Sequence, residues 1–493
     1  MNPSINQIPD HILIQILSNL PAQDRIKLEV VCKRWLNAIH MSYLNVESLK
    51  LNFIKNPFNA YLCYNLLTTS IYPKFPSLTR LLLFKTNITT DLMHSLRNSL
   101  RSLQDLRIGR CRITEVSAVT HLPEVRHLTL PGSQAGEWIE RSKRDLNSIR
   151  AFNESYSQKL FEILPKLPLQ TLELTDYGKS TSEHVKRLTQ IIQKSTILER
   201  FALRNLEGPD AVTILLLLLL EGANLKSFTL TVNRPKLTVS EVLPYVTENQ
   251  KLPGSLEKLD FKFPEMELNP ASCMLLSNRF AALKVLNLNY GLLLNGMLRF
   301  PCLVELSLGS IQLQPDTESG ISVGPGFRSL SVCKLTGTGG LDRLCINGSK
   351  SLTSLILSLS DNPTIIDDLS SLLSRSSNVT TVAIKVHAIG KDLVTEMLIL
   401  IGECILDLRN LAIVVCGIEA AMMENLLKPF LRHRQALIKS GVALPVLMLD
   451  FALVDFRNGV WMEEFSGANI VLKSSEAEKR EGQPKFDAKF VVS

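Results

Sequence analysis

The chain has 493 residues, of which 45% are hydrophobic and 20% charged, and a formal net charge of +7. So small a positive charge, with only 6% aromatic residues, lacks the basic stripe and stacking platforms of nucleic-acid binders. The longest apolar run, residues 211–220, is about half as long as a bilayer-spanning helix requires. We therefore expect neither nucleic acid nor a membrane among the partners.

Cysteine usage indicates a reducing compartment. The nine cysteines are scattered singly, and none forms a CxxC pair. The N-terminus also lacks the basic, apolar and small-residue series of a secretory signal. We expect a cytoplasmic or nuclear protein that binds no metal through its cysteines.

The first predicted element is a helix that is apolar around much of its circumference. Ile12, Ile16 and Leu20 recur every four positions, and Leu13 and Leu17 form a second stripe beside them. Pro9 and Asp10 suit its first turn, and Pro21 ends it. One stripe can serve the local core, which leaves the other for a partner.

A second helix is predicted to follow, with Asp24 as its N-cap. It would carry Ile26, Leu28, Val31 and Cys32, with Trp35 and Ile39 one to two turns further on. Two helices this short cannot bury so much apolar surface by themselves. Something outside them must cover it.

These residues resemble the F-box family, whose pattern is matched at Ile8-Pro9, Asp10, Leu13, Ile16, Leu20, Asp24 and Val31-Cys32-Lys33-Arg34-Trp35. The departures are Ile8, where leucine is usual, and His11, where an acidic residue is common. The resemblance implies docking on the Skp-type adaptor of a cullin-RING ubiquitin ligase, through Pro9, Ile12, Leu13, Ile16, Leu20, Val31, Cys32 and Trp35. Which of these are contacts and which are core stays open, as does the alternative of a plain helical hairpin that caps a larger domain.

The rest of the chain repeats the pattern LxxLxL. Fifteen copies begin at Val46, Leu78, Leu103, Val125, Leu169, Leu198, Leu225, Leu256, Leu283, Leu303, Phe327, Leu352, Val379, Leu408 and Leu444. Most steps span about 20 to 32 residues. Each copy alternates like a strand with one buried face, and residues 185–192 and 397–405 between copies show helical patterns.

This periodicity predicts an α/β leucine-rich-repeat solenoid. It is similar to the ribonuclease-inhibitor type of horseshoe, with a parallel concave sheet and helices on the convex side. We expect an all-α F-box at residues 1–45, a solenoid at 46–472 and a charged, disordered tail at 473–493. Whether residues 486–492 add an edge strand stays open.

Two steps are longer than the others. Between Val125 and Leu169 an extra helix-like segment, residues 138–164, carries Arg141, Lys143 and Arg144, so residues 131–168 are predicted to hold an insertion. It could be a binding face or a solvated decoration. The step after Leu408 also lengthens.

The x positions of the repeats point away from the core, to the face where solenoids usually bind. Tentative target-binding residues there are Arg80, Phe84, Arg107, Arg200, Arg204, Lys258, Lys262 and Tyr290, with His127 alongside. They outnumber Asp105, Glu173, Asp260 and Glu305, so this face is predicted to be basic in the early and middle repeats. Late repeats instead present a small or apolar floor at Ser354, Ile356, Ser358, Thr381, Ala383, Ala412, Val414 and Met448.

A basic face suits an acidic or phosphorylated ligand, because arginine binds carboxylate or phosphate through two parallel hydrogen bonds. The alternative is that strands simply need solvated charges on their open side. No HExxH, GxSxG or GxxxxGK pattern occurs, so we expect no catalytic site, no metal and no cofactor.

The sequence therefore predicts the substrate receptor of an SCF-type ubiquitin ligase. Two alternatives stay open. One is a small-molecule sensor that holds an inositol phosphate on its basic residues, and the other is an adaptor-binding scaffold independent of ubiquitin transfer.

Overall fold

A computed structural model describes residues 8–20, 25, 28–52, 74–109, 111–113, 125–131, 135–137, 139–140, 146–152, 158–179, 188, 190–192, 197–207, 225–233, 256–262, 265–268, 270–288, 291–313, 319–336, 344–346, 349–359, 365–386, 391–415, 420–451 and 470–473. The chain divides into two compact units, Met1–Asn233 and Arg234–Ser493, called unit 1 and unit 2.

Unit 1 begins with two helices that pack against each other, α1 (Asp10–Ser18) and α2 (Lys33–Tyr43). The single second helix predicted from the sequence is wrong. Arg25 and Leu28 are helical, but residues 29–31 form a turn, and Cys32 is extended at φ −166° before α2 begins. The adjacent β-branched Val30 and Val31 disfavour a continuous helix at this point. Asp24 and Ile26 lie outside the described residues.

A parallel sheet follows the helices. In spatial order its strands are β1 (Ser48–Asn52), β2 (Arg80–Phe84), β4 (Asp105–Gly109), β6 (His127–Pro131), β7 (Ser148–Phe152), β8 (Thr171–Lys179), β9 (Arg200–Glu207) and β10 (Ser227–Asn233). Spatial order follows chain order, as in a solenoid. Short strands β3 (Asn87–Ile88) and β5 (Arg112–Ile113) pair separately, and α3 (Thr90–Ser99) and α4 (Gln158–Ile163) lie between strands.

The repeat leucines form the core of unit 1. Leu49 aligns with Leu81, and Leu81 with Leu106, and all three are buried. Because side chains of a strand alternate between its two faces, the residues between these leucines lie on the opposite side of the sheet. We call this side the open face.

The predicted insertion at residues 131–168 is wrong, because β7 lies within it. Ile149 aligns with Leu128 on one side and Leu172 on the other, and Leu146, Ile149 and Ala151 are buried as the repeat leucines are. The segment is therefore a repeat of its own. Alanine at the last apolar position hid it from a search for LxxLxL. Arg141, Lys143 and Arg144 lie outside the described residues.

Unit 2 contains a second parallel ladder, built in chain order. Its strands are β11 (Lys258–Lys262), β13 (Val285–Leu288), β16 (Glu305–Leu313), β18 (Ser329–Thr336), β20 (Ser354–Leu359), β21 (Thr381–Val386), β22 (Asn410–Val415), β23 (Leu447–Phe451) and β24 (Ile470–Lys473). Strands β12 (Glu265–Leu268) and β14 (Gly291–Leu294) pair with each other, and β14 also pairs with the second half of β16. Its helices are α5 (Pro270–Arg279), α6 (Ile365–Ser374), α7 (Lys391–Cys404) and α8 (Ala420–Lys439).

The last repeats differ in register from the sequence prediction. Leu411 pairs with Leu449 rather than with Leu447, so the copy predicted to begin at Leu444 starts two residues later. Pro445 has no amide to give to the ladder, which therefore begins after it. Strand β24 adds a further rung that the LxxLxL search did not find.

Helices do not occupy the far side of every repeat. Strands β15 (Met297–Phe300), β17 (Gly320–Val323) and β19 (Leu344–Ile346) form a small parallel sheet instead. The repeats beginning at Leu283, Leu303 and Phe327 step by only about 20 to 25 residues, which favours a strand over a helix of three turns. These turns stack closely, because a Cβ on Gly324 would lie 1.8 Å from the carbonyl oxygen of Pro301.

Both units are therefore leucine-rich-repeat solenoid segments, preceded in unit 1 by a helical N-terminal domain. All fifteen predicted copies form strands. Among the described residues, no helix is both long and apolar enough to cross a bilayer. Lys473, predicted as the first residue of the tail, instead ends strand β24. The apolar run at 211–220 and the rest of the predicted tail, residues 474–493, lie outside the described residues.

Candidate functional site: an apolar face and an arginine cluster

Helix α1 and the turn before α2 expose apolar side chains to solvent. The exposed fractions are 37% for Ile12, 47% for Ile16, 88% for Val30 and 55% for Val31. We call these four residues the apolar face. Leu13 and Leu17, on the other stripe of α1, are only 1% exposed. The two stripes therefore divide as the sequence analysis expected, one into the core and the other toward solvent.

The remaining residues predicted to bind the adaptor differ in exposure. Pro9 and Cys32 are exposed, whereas Leu20 and Trp35 are half-buried. Leu13 belongs to the core, so it supports α1 from within. Val31 and Cys32 follow the turn at Glu29 and Val30, which places them outside either helix.

A buried arginine ties the end of α1 to α2. Arg25 donates from Nη2 to the carbonyl of Ser18 (2.7 Å), from Nε to that of Leu20 (2.8 Å) and from Nη1 to that of Ser42 (2.9 Å). The last carbonyls of a helix have no hydrogen-bond donor within the helix. The guanidinium of Arg25 therefore donates hydrogen bonds to carbonyls at the C-terminal end of α1. Burial lowers the pKa of Arg25. These hydrogen bonds fix α1, which carries Ile12 and Ile16, relative to α2.

A second polar contact joins these helices to the first repeat. The Tyr43 hydroxyl donates to Glu29 Oε1 (2.8 Å), and Lys74 pairs with the same carboxylate. The rings of Tyr43 and Phe75 lie 4.6 Å apart between centroids, and both are fully buried. Burial, followed by the bond to Glu29, raises the pKa of Tyr43. The helices and the first repeat are therefore joined by an apolar contact and a hydrogen-bonded ion pair.

The open face of unit 1 carries an arginine cluster, defined as Arg80, Arg107, Arg150, Arg200 and Arg204. Asp105 lies between the first two. Arg107 donates to it from Nη2 (2.8 Å) and Nε (3.1 Å), and Arg80 Nε lies 3.6 Å from it. The hydrogen bond to Asp105 is the main reason that the pKa of Arg107 is raised, and the charge of Glu173 adds to the effect.

Glu173 on β8 likewise pairs with two arginines of the cluster. It pairs with Arg150 on β7 and with Arg204 on β9, whose Nε lies 2.8 Å from Oε1. The side chains of Asp105 and Glu173 are each 11% exposed, so both carboxylates lie beneath the arginines. In the part of the chain that the structure describes, the buried Nε of Arg204 has no hydrogen-bond acceptor, because the approach of Glu173 is close but poorly aligned.

The other residues predicted for this face are dispersed. Phe84 is half-buried and lies across Gly109 on the next strand, where a Cβ would be 2.8 Å from its ring. Lys258 and Lys262 flank the buried Asp260 in unit 2, and Tyr290 lies outside the described residues. Sequence reasoning missed Arg150, because its repeat was taken for an insertion.

The late repeats of unit 2 present smaller side chains on their open face. Ser354, Ile356 and Ser358 are half-buried there, as are Thr381, Ala383 and Ala412, and Met448 is exposed. Within the described ranges, no three His, Cys, Asp or Glu side chains are grouped in a way that could hold a metal ion. The candidate sites are therefore the apolar face and the arginine cluster.

Comparison with known protein families decides the nature of the N-terminal helices, because residues 5–47 match the F-box domain. These residues are an F-box domain. An F-box implies binding to an SCF-type adaptor, and proteins with this domain are in general non-catalytic adaptors. The apolar face is a surface of this F-box.

Two solved structures are similar to this chain at low identity. The crystal structure of the Rad7 and Elc1 complex from yeast aligns with 83% of this chain and 90% of its own, at 16% identity and a TM-score of 0.39. The leucine-rich-repeat protein LegL7 from Legionella pneumophila aligns over 78% of this chain and 97% of its own, at 14% identity and a TM-score of 0.29. With TM-scores this low, neither likeness bears on function. A comparison with curated proteins finds no match.

Proposed function

We propose that the protein is the substrate-recognition subunit of an SCF-type E3 ubiquitin ligase. The F-box would bind the Skp-type adaptor, and the leucine-rich repeats would bind the target protein. The observation that carries the proposal is the apolar face, since Ile12, Ile16 and Val31 are exposed while Leu13 and Leu17 are buried in the core.

The energetics of burial support this assignment. Leu13 and Leu17 fill the core of the F-box, so the apolar face contributes little to its folding. Covering the exposed parts of four aliphatic side chains would gain about 1 kcal/mol each, or several kcal/mol in total. A protein adaptor is the partner that an F-box implies.

In this role the protein needs no chemistry of its own. The repeats would hold the target while other subunits of the ligase transfer ubiquitin. The gain comes from proximity, because a tethered target reacts at a high effective concentration. The contacts of Tyr43 with Phe75 and of Glu29 with Lys74 support such a role, since they join the F-box to the first repeat.

Reconstitution with purified Skp-type adaptor and cullin tests the proposal. The full chain should co-elute with the adaptor and the cullin in equal amounts. The Ile16→Asp variant should co-elute with neither of them. Met41→Asp is the matched control, because Met41 is 53% exposed but lies in the last turn of α2, away from the turn that carries Val30 and Val31. Binding of the adaptor without the cullin would instead favour a ligase-independent scaffold, and binding of neither would contradict the proposal.

The arginine cluster favours a second candidate, a sensor that holds an inositol phosphate as a cofactor. Native mass spectrometry of the purified protein should then show a bound polyanion, and its absence would count against this candidate.

We further propose that the protein acts in the cytoplasm or nucleus. Five cysteines in the part of the chain that the structure describes, Cys32, Cys111, Cys273, Cys302 and Cys404, are free thiols, which supports a reducing compartment. Imaging of the full chain with a fluorescent tag tests this, and secretion into the medium would contradict it.

A further inference from the structure

The central outward positions of unit 1 form a row across four strands. Arg107 on β4 aligns with Thr129 on β6, Thr129 with Arg150 on β7, and Arg150 with Glu173 on β8. Neighbouring strands are about 4.8 Å apart, so the backbones of Arg107 and Arg150 are about 10 Å apart. Thr129, the residue between them, has a short side chain on the open face. A gap therefore lies between the side chains of Arg107 and Arg150, with Thr129 at its base.

Each of the two arginines is held by a carboxylate. Arg107 is bound by Asp105 through Nε and Nη2, so its Nη1 group takes no part in that pair. Arg150 is bound by Glu173, on the side away from Thr129. Each carboxylate is nearly buried and also contacts a second arginine, Arg80 or Arg204 respectively. This arrangement fixes two guanidinium groups that would otherwise be free to rotate, which lowers the entropic cost of binding an anion between them.

The cluster also keeps an excess of positive charge. Four of its arginines share two carboxylates, Asp105 and Glu173, and Arg200 adds a fifth positive charge, so the formal balance of these seven residues is +3. Surface pairs that merely solvate a sheet would be expected to balance. An excess over buried carboxylates is instead what a preorganised anion site requires.

We propose that Arg107 and Arg150 bind a phosphate group of a phosphorylated segment of the target protein, with Thr129 donating a hydrogen bond from beneath. This inference rests on the proposed role as a substrate receptor and names the chemical class of its target. Asp105 and Glu173 are positioning residues, since they act through the arginines.

Phosphate fits this gap better than a carboxylate does. A phosphoryl group carries about −1.5 to −2 charges and three oxygen acceptors, so it can accept from both arginines and from a hydroxyl at once. A single carboxylate has one charge, and its two oxygens lie in one plane with one arginine fork. A gap of about 10 Å between the two arginine backbones suits the tetrahedral ion.

The test uses the full chain bound to its adaptor and three degenerate peptide libraries, with phosphoserine, serine or glutamate fixed at the centre. The phosphoserine library should be retained at least about tenfold more than the serine library, with glutamate in between. Arg107→Ala and Arg150→Ala should each lower retention of phosphoserine by about tenfold or more, and Thr129→Val by a fewfold.

The variants are chosen so that folding does not confuse the result. Arg107→Ala leaves Asp105 with Arg80, and Arg150→Ala leaves Glu173 with Arg204, so neither leaves a buried carboxylate without a cation. Arg328→Ala is the matched control, because Arg328 is exposed in unit 2. It should retain phosphoserine peptides as the natural chain does.

Three outcomes would overturn the inference. These are equal retention of the phosphoserine and serine libraries, equal losses in Arg150→Ala and Arg328→Ala, and a free inositol phosphate that binds while phosphopeptides do not. Adaptor binding is measured on the same variants. If it persists while phosphoserine selectivity is absent, only this inference fails, whereas a chain that binds no adaptor contradicts the proposed function itself.

Discussion

The apolar face of the F-box and the arginine cluster of unit 1 are built from opposite chemistry. Ile12, Ile16 and Val31 are exposed aliphatic side chains above a closed core, whereas Arg107 and Arg150 are charged side chains braced by buried carboxylates. Binding at the first surface would gain free energy from the release of water, and this hydrophobic contribution has no preferred direction. The second gains it by charge and geometry, which gives selectivity. A receptor that must hold one constant partner and choose another would use such a pair.

The largest expected effect is on the apolar face. Ile12→Asp combined with Ile16→Asp should weaken adaptor binding at least about a thousandfold, or about 4 kcal/mol, because two charges would be buried without partners. Titration calorimetry with purified adaptor measures this. Phosphopeptide retention should stay unchanged, and adaptor binding within about threefold of the natural chain would contradict the assignment.

The same helix offers a sharper test of which stripe is core. Leu13→Ala should destabilise the F-box by about 3 kcal/mol, because Leu13 is 1% exposed, whereas Ile12→Ala should cost less than about 1 kcal/mol. Hydrogen exchange of the α1 amides in the full chain reports both values. Equal costs would show that the two stripes are not divided as described. Substitutions at Leu13 therefore probe folding of the F-box rather than the adaptor interface.

The repeats can be disturbed without touching either surface. Gly324→Ala should destabilise unit 2 by about 2 kcal/mol or more, since the added Cβ would overlap the carbonyl oxygen of Pro301 at 1.8 Å. Gly326→Ala is the matched control, because nothing lies within 4 Å of its Cβ position. Thermal unfolding compares them. Adaptor binding should survive in both variants, and equal unfolding temperatures would contradict the stacking described here.

Salt gives the smallest expected effect and separates the two surfaces directly. Raising ionic strength from about 0.05 to about 0.3 M should lower phosphopeptide affinity by about fivefold and adaptor affinity by less than about twofold. Fluorescence anisotropy measures both in one buffer series. Equal salt dependence would mean that the two surfaces do not differ in the way their composition suggests.

Much of the fold could be predicted from sequence, because LxxLxL alternation and a helix stripe are local patterns. All fifteen predicted copies form strands, and the two stripes of α1 divide as expected. The strand β7 was missed because Ala151 replaces the last leucine of its repeat. The β15–β17–β19 sheet was missed because a short connection can be a helix or a strand with equal ease.

The candidate sites depend on long-range contacts that no local pattern contains. Arg25 is buried because its acceptors at Ser18, Leu20 and Ser42 converge only after folding. Asp105 and Glu173 looked like opposing charges on a basic face, yet the structure places them beneath the arginines. The importance of Arg150 follows from the strand register, which aligns it with Thr129 and Glu173.

Hydrogen exchange of the full chain, with and without the Skp-type adaptor, tests the central claim most directly. The amides of α1 and of residues 29–33 should become protected on binding, because they carry the apolar face. Those of α7, at Lys391–Cys404, should not change. Protection confined to the repeats, or none anywhere, would contradict the claim that this F-box surface binds the adaptor.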